Sequence, residues 1–485
     1  MKRKIKKVLV ANRGVPAVRV MHTCRDRKIR TVAVYSAPDR IAHHVYMADE
    51  AVYIGEAPPQ ESYLNIENII DAALKSGSNA VHPGWGFLAE NSEFAQAVMD
   101  AGLIWLGPDP SIIYDMGDKI RSKELARKAH VPTIPGINNV TSEDDILEWL
   151  EKEKVEYPIM LKPSAGGGGK GMIKISGPKE LKSGLERARS EAMKSFGDST
   201  LLAEKYVEQG RHIEVQIVAD KMGNIAHLYD RECTLQRRNQ KIIEEAPSAT
   251  LDYHLRQEIC YTAVRLMREI QYTYAGTVEF LYDCKTGNYY FLEVNTRLQV
   301  EHGTTELSTG KDIVGIMLDV AEDIPLPFKQ EDITTNRHAI EVRLNAEDPI
   351  TFSPSFGQIS RLISPDGPAV RVATGVYEGA LIPPFYDSNI MLIMTTGASR
   401  EGAIRVMDRT LSRNLRVEGI KTNAQLLLSI IRHPSFMAGE FSTRFIETNL
   451  DELVSAFRET NAEDEVLKIA RFVAEVSALG PRDWM

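Results

Sequence analysis

Two carboxylates and an amide fall where strand periodicity would bring them together. Gly276-Thr-Val-Glu-Phe-Leu-Tyr282 and Tyr289-Tyr-Phe-Leu-Glu-Val-Asn295 are β-rich runs around a Lys285-Thr-Gly287 turn. A three-residue loop there sets Glu279 opposite Glu293. Like charges opposed on a sheet destabilise it, so the pair calls for a cation. Alternation with period two places Glu293, Asn295 and Arg297 on one face. Two carboxylates and an amide oxygen suit a hard cation, Mg²⁺ or Mn²⁺, bridging nucleotide phosphates. The competing reading is a pair of solvated edge carboxylates.

Gly166-Gly-Gly-Gly-Lys-Gly171 satisfies G-x-G-x-x-G, but its context excludes a Rossmann fingerprint, which needs a helix after the glycines. Here Tyr157-Pro-Ile-Met-Leu-Lys162 precedes, and Met172-Ile-Lys-Ile175, a second strand, follows. Lys170 is followed by glycine rather than Ser or Thr, so a P-loop is excluded too. A glycine hairpin between strands can close backbone amides over phosphates, and Lys162 at the strand end favours that over a flexible surface hairpin. A third cluster, Arg231-Glu-Cys-Thr-Leu-Gln-Arg-Arg-Asn-Gln-Lys241 with Glu244-Glu-Ala-Pro247, reads equally as a solvated charged loop or an anion-binding segment.

The elements that must hold these groups come from 485 residues, about three domains' worth. Apolar residues at 43% and charged residues at 26% allow ordinary cores and rule out disorder for most of the length. A net charge of −9 argues against nucleic acid or an anionic membrane as main partner. Four cysteines without a CxxC pair read as reduced thiols in a cytoplasmic protein. No apolar run reaches membrane length, and Asn389-Ile-Met-Leu-Ile-Met394 is strand-sized. Up to about residue 117, buried-strand runs at 8–11, 31–35, 80–82 and 104–106 alternate with amphipathic stretches near 16–27, 64–76 and 91–101. That alternation predicts an α/β fold with a doubly wound parallel sheet. Ligands bind at the carboxyl ends of such strands, so His82-Pro-Gly-Trp-Gly-Phe87 faces a candidate site. Longer helices mixed with hairpins follow to about 332, and then strand-like segments with helices near 400–414 and 421–432. Residues 447–485 read as an acidic stretch followed by an amphipathic helix with apolar positions 466, 469, 470, 473 and 476.

Taken together, these residues resemble the biotin carboxylase family of the ATP-grasp superfamily over nearly the whole of residues 4–446. The similarity rests on Ala11-Asn-Arg-Gly14, His82-Pro-Gly-Trp-Gly-Phe-Leu-Ala-Glu-Asn91, Met116-Gly-Asp-Lys119 and Lys162 with the glycine flap. It continues through Glu204-Lys-Tyr206, Arg211-His212, Gln236-Arg-Arg-Asn-Gln-Lys241 and Glu293-Val-Asn-Thr-Arg-Leu-Gln-Val-Glu-His302. Arg343-Leu-Asn-Ala-Glu-Asp348 and Gly419-Ile-Lys-Thr-Asn423 complete it. The resemblance implies an N-terminal Rossmann-like domain (1–117), an ATP-grasp domain (118–332) with a mobile lid at about 133–205, a mixed α+β C-terminal domain (333–446) and a tail (447–485).

It further implies that ATP activates bicarbonate through carboxyphosphate, and that N1′ of a biotin on a carrier protein or domain is then carboxylated. By position, Lys119, Lys162, Gly167, Gly168, Gly169, Glu204, Lys205, Val207, His212, Gln236 and Asn239 would contact the nucleotide. Glu279, Glu293 and Asn295 would hold the metal. Lys241, Arg297, Gln299 and Val300 would hold bicarbonate, Glu301 would remove its proton, and Arg343 would stabilise the biotin enolate beside Trp85. The implied partners are a biotin carboxyl carrier protein, a carboxyltransferase and a second copy of the chain. The final acceptor is left open among pyruvate, another 2-oxo acid and an acyl-CoA. Another ATP-grasp ligase and a regulatory nucleotide-binding protein without turnover are the rival readings.

Four departures from the family pattern stand out: Asn239 for a usual His, Trp85 for Tyr, Val15-Pro16 for Glu-Ile, and Gly303 for Pro. None removes a charged catalytic group. Trp85 reads equally as core packing and as a biotin contact. Ala192-Met-Lys-Ser195 imitates a biotin-acceptor motif but lies in a helical run, so the carrier is expected elsewhere.

Overall fold

The computed structural model describes residues 4–164 and 171–456. Its first layer is a parallel sheet of β1 (Lys7–Val10), β2 (Arg30–Ser36), β3 (Glu50–Gly55), β4 (Ala80–His82) and β5 (Ile104–Trp105), in the order β3-β2-β1-β4-β5. The order reverses between β1 and β4. The loops leaving those two strands therefore converge on one crevice, as the doubly wound pattern requires. Asn12 joins them, its Nδ2 donating to the carbonyls of Pro83 (2.7 Å) and Trp85 (2.8 Å). Helices Gly14–Asp26, Ile66–Lys75 and Ser92–Asp100 stand where periodicity predicts them. Pro16 sits in the first turn, where its missing N–H costs nothing. Strand β3 escaped the sequence reading, because an edge strand with exposed Tyr53 lacks a buried-strand run.

A four-stranded lid follows: β6 (Gly136–Val140), β7 (Ile159–Pro163), β8 (Ile173–Ile175) and β9 (Leu201–Lys205), ordered β6-β9-β7-β8. Helices Glu143–Glu153 and Pro178–Phe196 cover it, burying Ile146, Trp149, Leu181 and Ala188 against Ile159 and Leu161. β7 and β8 pair antiparallel, and Gly167, Gly168 and Gly169 between them lie outside the described residues. Lys194 is inside helix Pro178–Phe196 rather than at a hairpin tip, which is the wrong setting for a biotinylated lysine.

The site is built on an eight-stranded antiparallel sheet. Its strands β10 (Gly210–Ala219), β11 (Ile225–Arg237), β12 (Gln240–Ala246), β13 (Tyr274–Asp283), β14 (Tyr289–Asn295) and β15 (His338–Asn345) run β14-β13-β10-β11-β12-β15. Strands Asn389–Gly397 and Val370–Thr374 extend it beyond β15. On β10, Ile213, Val215 and Ile217 enter a core with helix Tyr253–Glu269, and alternation sends His212, Glu214 and Gln216 to the other face. Because β12 pairs with β15, one sheet carries residues from both sides of position 332, bringing Glu244 beside Arg343.

Two expectations need correction. The β13–β14 connection is five residues, 284–288, not three. A bulge at Leu292 shifts the register, so Glu279 still pairs with Glu293. The chain at 447–456 is helical, and Leu453 is buried in the C-terminal core, so the acidic stretch begins inside that domain. The amphipathic stretch at 466–476 lies outside the described residues. Among the described residues no helix is long and apolar enough to cross a membrane.

Candidate active site

Lys241 is the hub of the site. Its Nζ donates to Glu214 (2.6 Å), Glu279 (2.8 Å) and Glu301 (2.7 Å). Burial alone would lower its pKa, but the three carboxylates outweigh burial and hold it well above the usual lysine value. Glu301 is fully buried, with Oε1 on Lys241 and Oε2 accepting from Arg343 Nη2 at 3.0 Å. Burial pushes its carboxyl up, yet Lys241, Arg343 and Arg231 outweigh burial and keep it well below the ordinary range. The result is a carboxylate that stays ionised in a dry pocket and can accept a proton only from a group acidified by the same cations.

Glu279 is buried and Glu293 opens to the cleft. Glu279's charge, followed by burial, raises Glu293, whereas Lys241 and His212 overcome burial to hold Glu279 low. His212 Nε2 lies 2.8 Å from Glu279 Oε2, and its Nδ1 is 2.8 Å from Gln236 Nε2. Asn295 donates Nδ2 to Glu279 (2.9 Å) while its Oδ1 accepts from Arg297 (2.7 Å). The amide thus reaches the carboxylate through nitrogen, and its oxygen is held by Arg297. Arg297 also binds Gln299 Oε1 (2.9 Å) and Glu90 Oε2 (2.8 Å). The oxygen donors of Glu279 and Glu293, with a like-charge conflict between them, fit a hard divalent cation.

Several of the residues expected at the nucleotide stand on or beside the lid. Glu204 is buried on β9 and accepts from Lys162 Nζ (2.5 Å) and from Lys123, a partner that sequence reasoning missed. Burial would raise Glu204, but the two lysines win and lower it. Lys119 caps this corner, its pKa lowered by burial and by Lys162. Lys205 Nζ lies 3.9 Å from Asp283, and Val207 packs with Ile134 and Tyr290.

The 231–241 cluster is a hairpin rather than a loop, with Arg231 to Leu235 buried and Arg238 and Asn239 at the tip. Both tip residues have positive φ (49° and 63°), a conformation that Asn tolerates better than most side chains. Asn239 is therefore exposed at the turn, while Lys241 reaches into the pocket. Trp85 is half-buried, its ring 5.8 Å from that of His302, and it packs beside Val300, Val15 and Met394. A Cβ on Gly303 would stand 2.3 Å from Met394 Sδ, so Met394 fills the space a side chain there would need.

Sequence reasoning missed the most buried charges. Arg231 has no exposed surface and binds Glu214, Gln216 (2.7 Å), Thr305 (2.9 Å) and Thr277 (3.1 Å). The available signal was the polar alternation His212, Glu214, Gln216 inside an otherwise apolar strand. Cys233 donates to Glu301 Oε1 at 3.8 Å, and burial holds its thiol well above the ordinary value, so it stays neutral.

Three family models tile the chain. Residues 4–113 match the biotin carboxylase N-terminal domain, 118–329 the ATP-binding domain of the carbamoyl-phosphate synthase L chain, and 341–448 the biotin carboxylase C-terminal domain. Biotin carboxylase 1 of Bacillus subtilis (strain 168) is 44% identical over 445 residues, covering 92% of this chain and 98% of that protein. The biotin carboxylase of Pseudomonas aeruginosa is 43% identical over 446 residues, covering 92% and 99%. The dimeric biotin carboxylase domain of Hydrogenobacter thermophilus 2-oxoglutarate carboxylase, solved with MgADP, ADP and bicarbonate, superposes with a TM-score of 0.87 at 43% identity, covering 93% and 99%.

Proposed function

The chain belongs to the biotin carboxylase family, and from that premise we propose that it is an ATP-dependent ligase that carboxylates biotin with bicarbonate. The observation that carries the reading is Glu301, clamped between Lys241 and Arg343 on the sheet that also opposes Glu279 to Glu293. Bicarbonate is a poor nucleophile until its proton leaves. Lys241 and Arg297 supply the cationic field that holds it and makes that proton acidic, and Glu301 takes the proton. A bicarbonate oxygen then attacks the γ-phosphorus of ATP, ADP leaves, and carboxyphosphate remains. Lys119 and Lys162 neutralise phosphate charge as it moves. Glu279 and Glu293 would hold Mg²⁺ or Mn²⁺, which screens the phosphates when bound. Decomposition of carboxyphosphate gives CO₂ and phosphate. The phosphate takes the N1′ proton of biotin, Arg343 stabilises the enolate, and N1′ attacks CO₂.

The biotin is expected on a carrier protein, with a carboxyltransferase as further partner and a second copy of this chain as its dimer mate, in the cytoplasm. The test is ADP release with free biotin, with and without bicarbonate. Turnover that requires both substrates supports the proposal. Bicarbonate-independent turnover on another acid would favour the rival ligase reading.

A further inference from the structure

One buried carboxyl beside the site has no role in the chemistry above. Glu341 on β15 is fully buried, and neither of its oxygens has a protein hydrogen-bond partner. It is paired in register with Glu244 on β12, which is also fully buried and whose Oε2 is likewise unpartnered. Arg343 lies two residues from Glu341 on the same strand face, and its Nε donates to Glu244 Oε1 at 2.6 Å. Its Nη2 reaches Glu301 Oε2. Three carboxyls therefore crowd one guanidinium.

The groups facing Glu341 can be named. The charges that act on it are Glu244 on β12, Arg343 on its own strand, Glu301 before helix His302–Thr309 and Arg231 on β11, and Lys241 acts on its pair mate Glu244. Opposite Glu341 on strand Asn389–Gly397 is the uncharged Met394. Gly303 covers it without a side chain, since a Cβ there would be 3.4 Å from Glu341 Oε2. An ionised carboxylate with neither oxygen hydrogen-bonded costs far more in such a place than a neutral acid.

We propose that Glu341 is a positioning residue for Arg343: it shares one proton with Glu244, and as the neutral member of the pair it leaves Glu244 as the anchoring anion of the guanidinium. This rests on the proposed function, in which Arg343 meets the biotin enolate. The direction of both titrations agrees. Burial and then Glu244 push Glu341 well above the ordinary value, and burial pushes Glu244 up to about 7 although Arg343 opposes it. The two carboxyls titrate as a pair rather than separately. When the shared proton is lost at high pH, a second anion competes for Arg343 and draws it from the side facing Glu301.

The experiment is the pH profile of kcat/KM for free biotin in the wild type and in Glu341→Gln, which is neutral at every pH. The wild type should fall about tenfold per pH unit above the titration of the pair. Glu341→Gln should lose that fall, and its KM for MgATP should move less than twofold. Superimposable profiles would overturn the inference. The proton is read independently of turnover by infrared spectroscopy of the wild type. The carbonyl stretch of a protonated carboxyl should be present at neutral pH, vanish with the same midpoint as activity, and be missing in Glu341→Gln. Its absence from the wild type at neutral pH would also overturn the inference, even if the variant failed to fold. A wild type that carboxylates no biotin would instead sink the proposed function.

Discussion

Glu279 and Glu293 show how a residue pair can be destabilising and useful at once. Directly opposed like charges weaken a sheet by roughly 0.2–1 kcal/mol, and the structure keeps Glu279 ionised by placing Lys241 and His212 against it. Replacing either acid with glutamine should therefore leave the fold intact but cut ATP turnover at limiting Mg²⁺ by about 100-fold or more. Full activity of either variant at limiting Mg²⁺, with an unchanged circular dichroism spectrum, would show that the pair does not clamp a metal. The pairing was legible in the sequence from strand alternation, but not the path to it: next to the turn Tyr282 pairs with Tyr289, one residue out of the symmetric register, and a bulge at Leu292 restores it. Arg231 and Glu214 were not legible as a pair. They are 17 positions apart on different strands, and only the antiparallel pairing of β10 and β11 brings them together.

At the scale of elements, strong periodicity was readable and weak or composite patterns were not. Helices Gly14–Asp26, Ile66–Lys75 and Ser92–Asp100 and the strands beside the glycine flap stand where their patterns put them, because apolar spacing and turn residues agree there. Strand β3 and the 231–247 hairpin were hidden for opposite reasons. The first exposes side chains on an edge, and the second buries charges that composition assigns to solvent. Burial of Arg231, Glu232, Glu244 and Glu245 is tolerable only because neighbouring strands, helix His302–Thr309 and Ser248 supply partners, which are tertiary facts. The site depends on this arrangement. Strands β10, β12, β13 and β15 each contribute one or more charges to the Lys241–Glu301–Arg343 cluster, so a shift of any one strand would leave a buried charge unpaired.

In the whole molecule, the N-terminal layer is tied by charge to the helix that follows Glu301. Arg19 of helix Gly14–Asp26 donates to Glu306 (2.6 Å) and to His302 Nε2 (3.1 Å), both in the helix that begins beside Glu301. His302 and His44 are buried and held down to about 4, and His82 to about 3, burial being the main cause in each. Glu301, Glu279 and Glu204 are also held low, and Glu306 sits at about 2, by cations that outweigh burial. Unfolded carboxyls protonate near 4.3 and unfolded histidines near 6.5. Between about pH 6.5 and 4.5 the depressed histidines, which take protons only in the unfolded chain, are opposed by Glu341 and Glu244, whose raised carboxyls take protons in the folded one. The depressed carboxyls join the histidines below about pH 4.5, where the unfolded chain binds more protons than the folded one. Stability present above that pH is lost as pH falls through the folded values, at about 1.4 kcal/mol per pH unit for each group that protonates only in the unfolded chain. The urea midpoint should drop sharply between pH 5 and 3.5; an unchanged midpoint would show that these groups are not held as described. If the assembled Lys241–Glu301–Arg343 cluster makes carboxyphosphate, oxygen from ¹⁸O-labelled bicarbonate must pass to phosphate during biotin carboxylation, and following that oxygen is the direct measurement. The phosphate released should carry one bicarbonate oxygen for each biotin carboxylated, whereas phosphate free of label would show that carboxyphosphate is not formed.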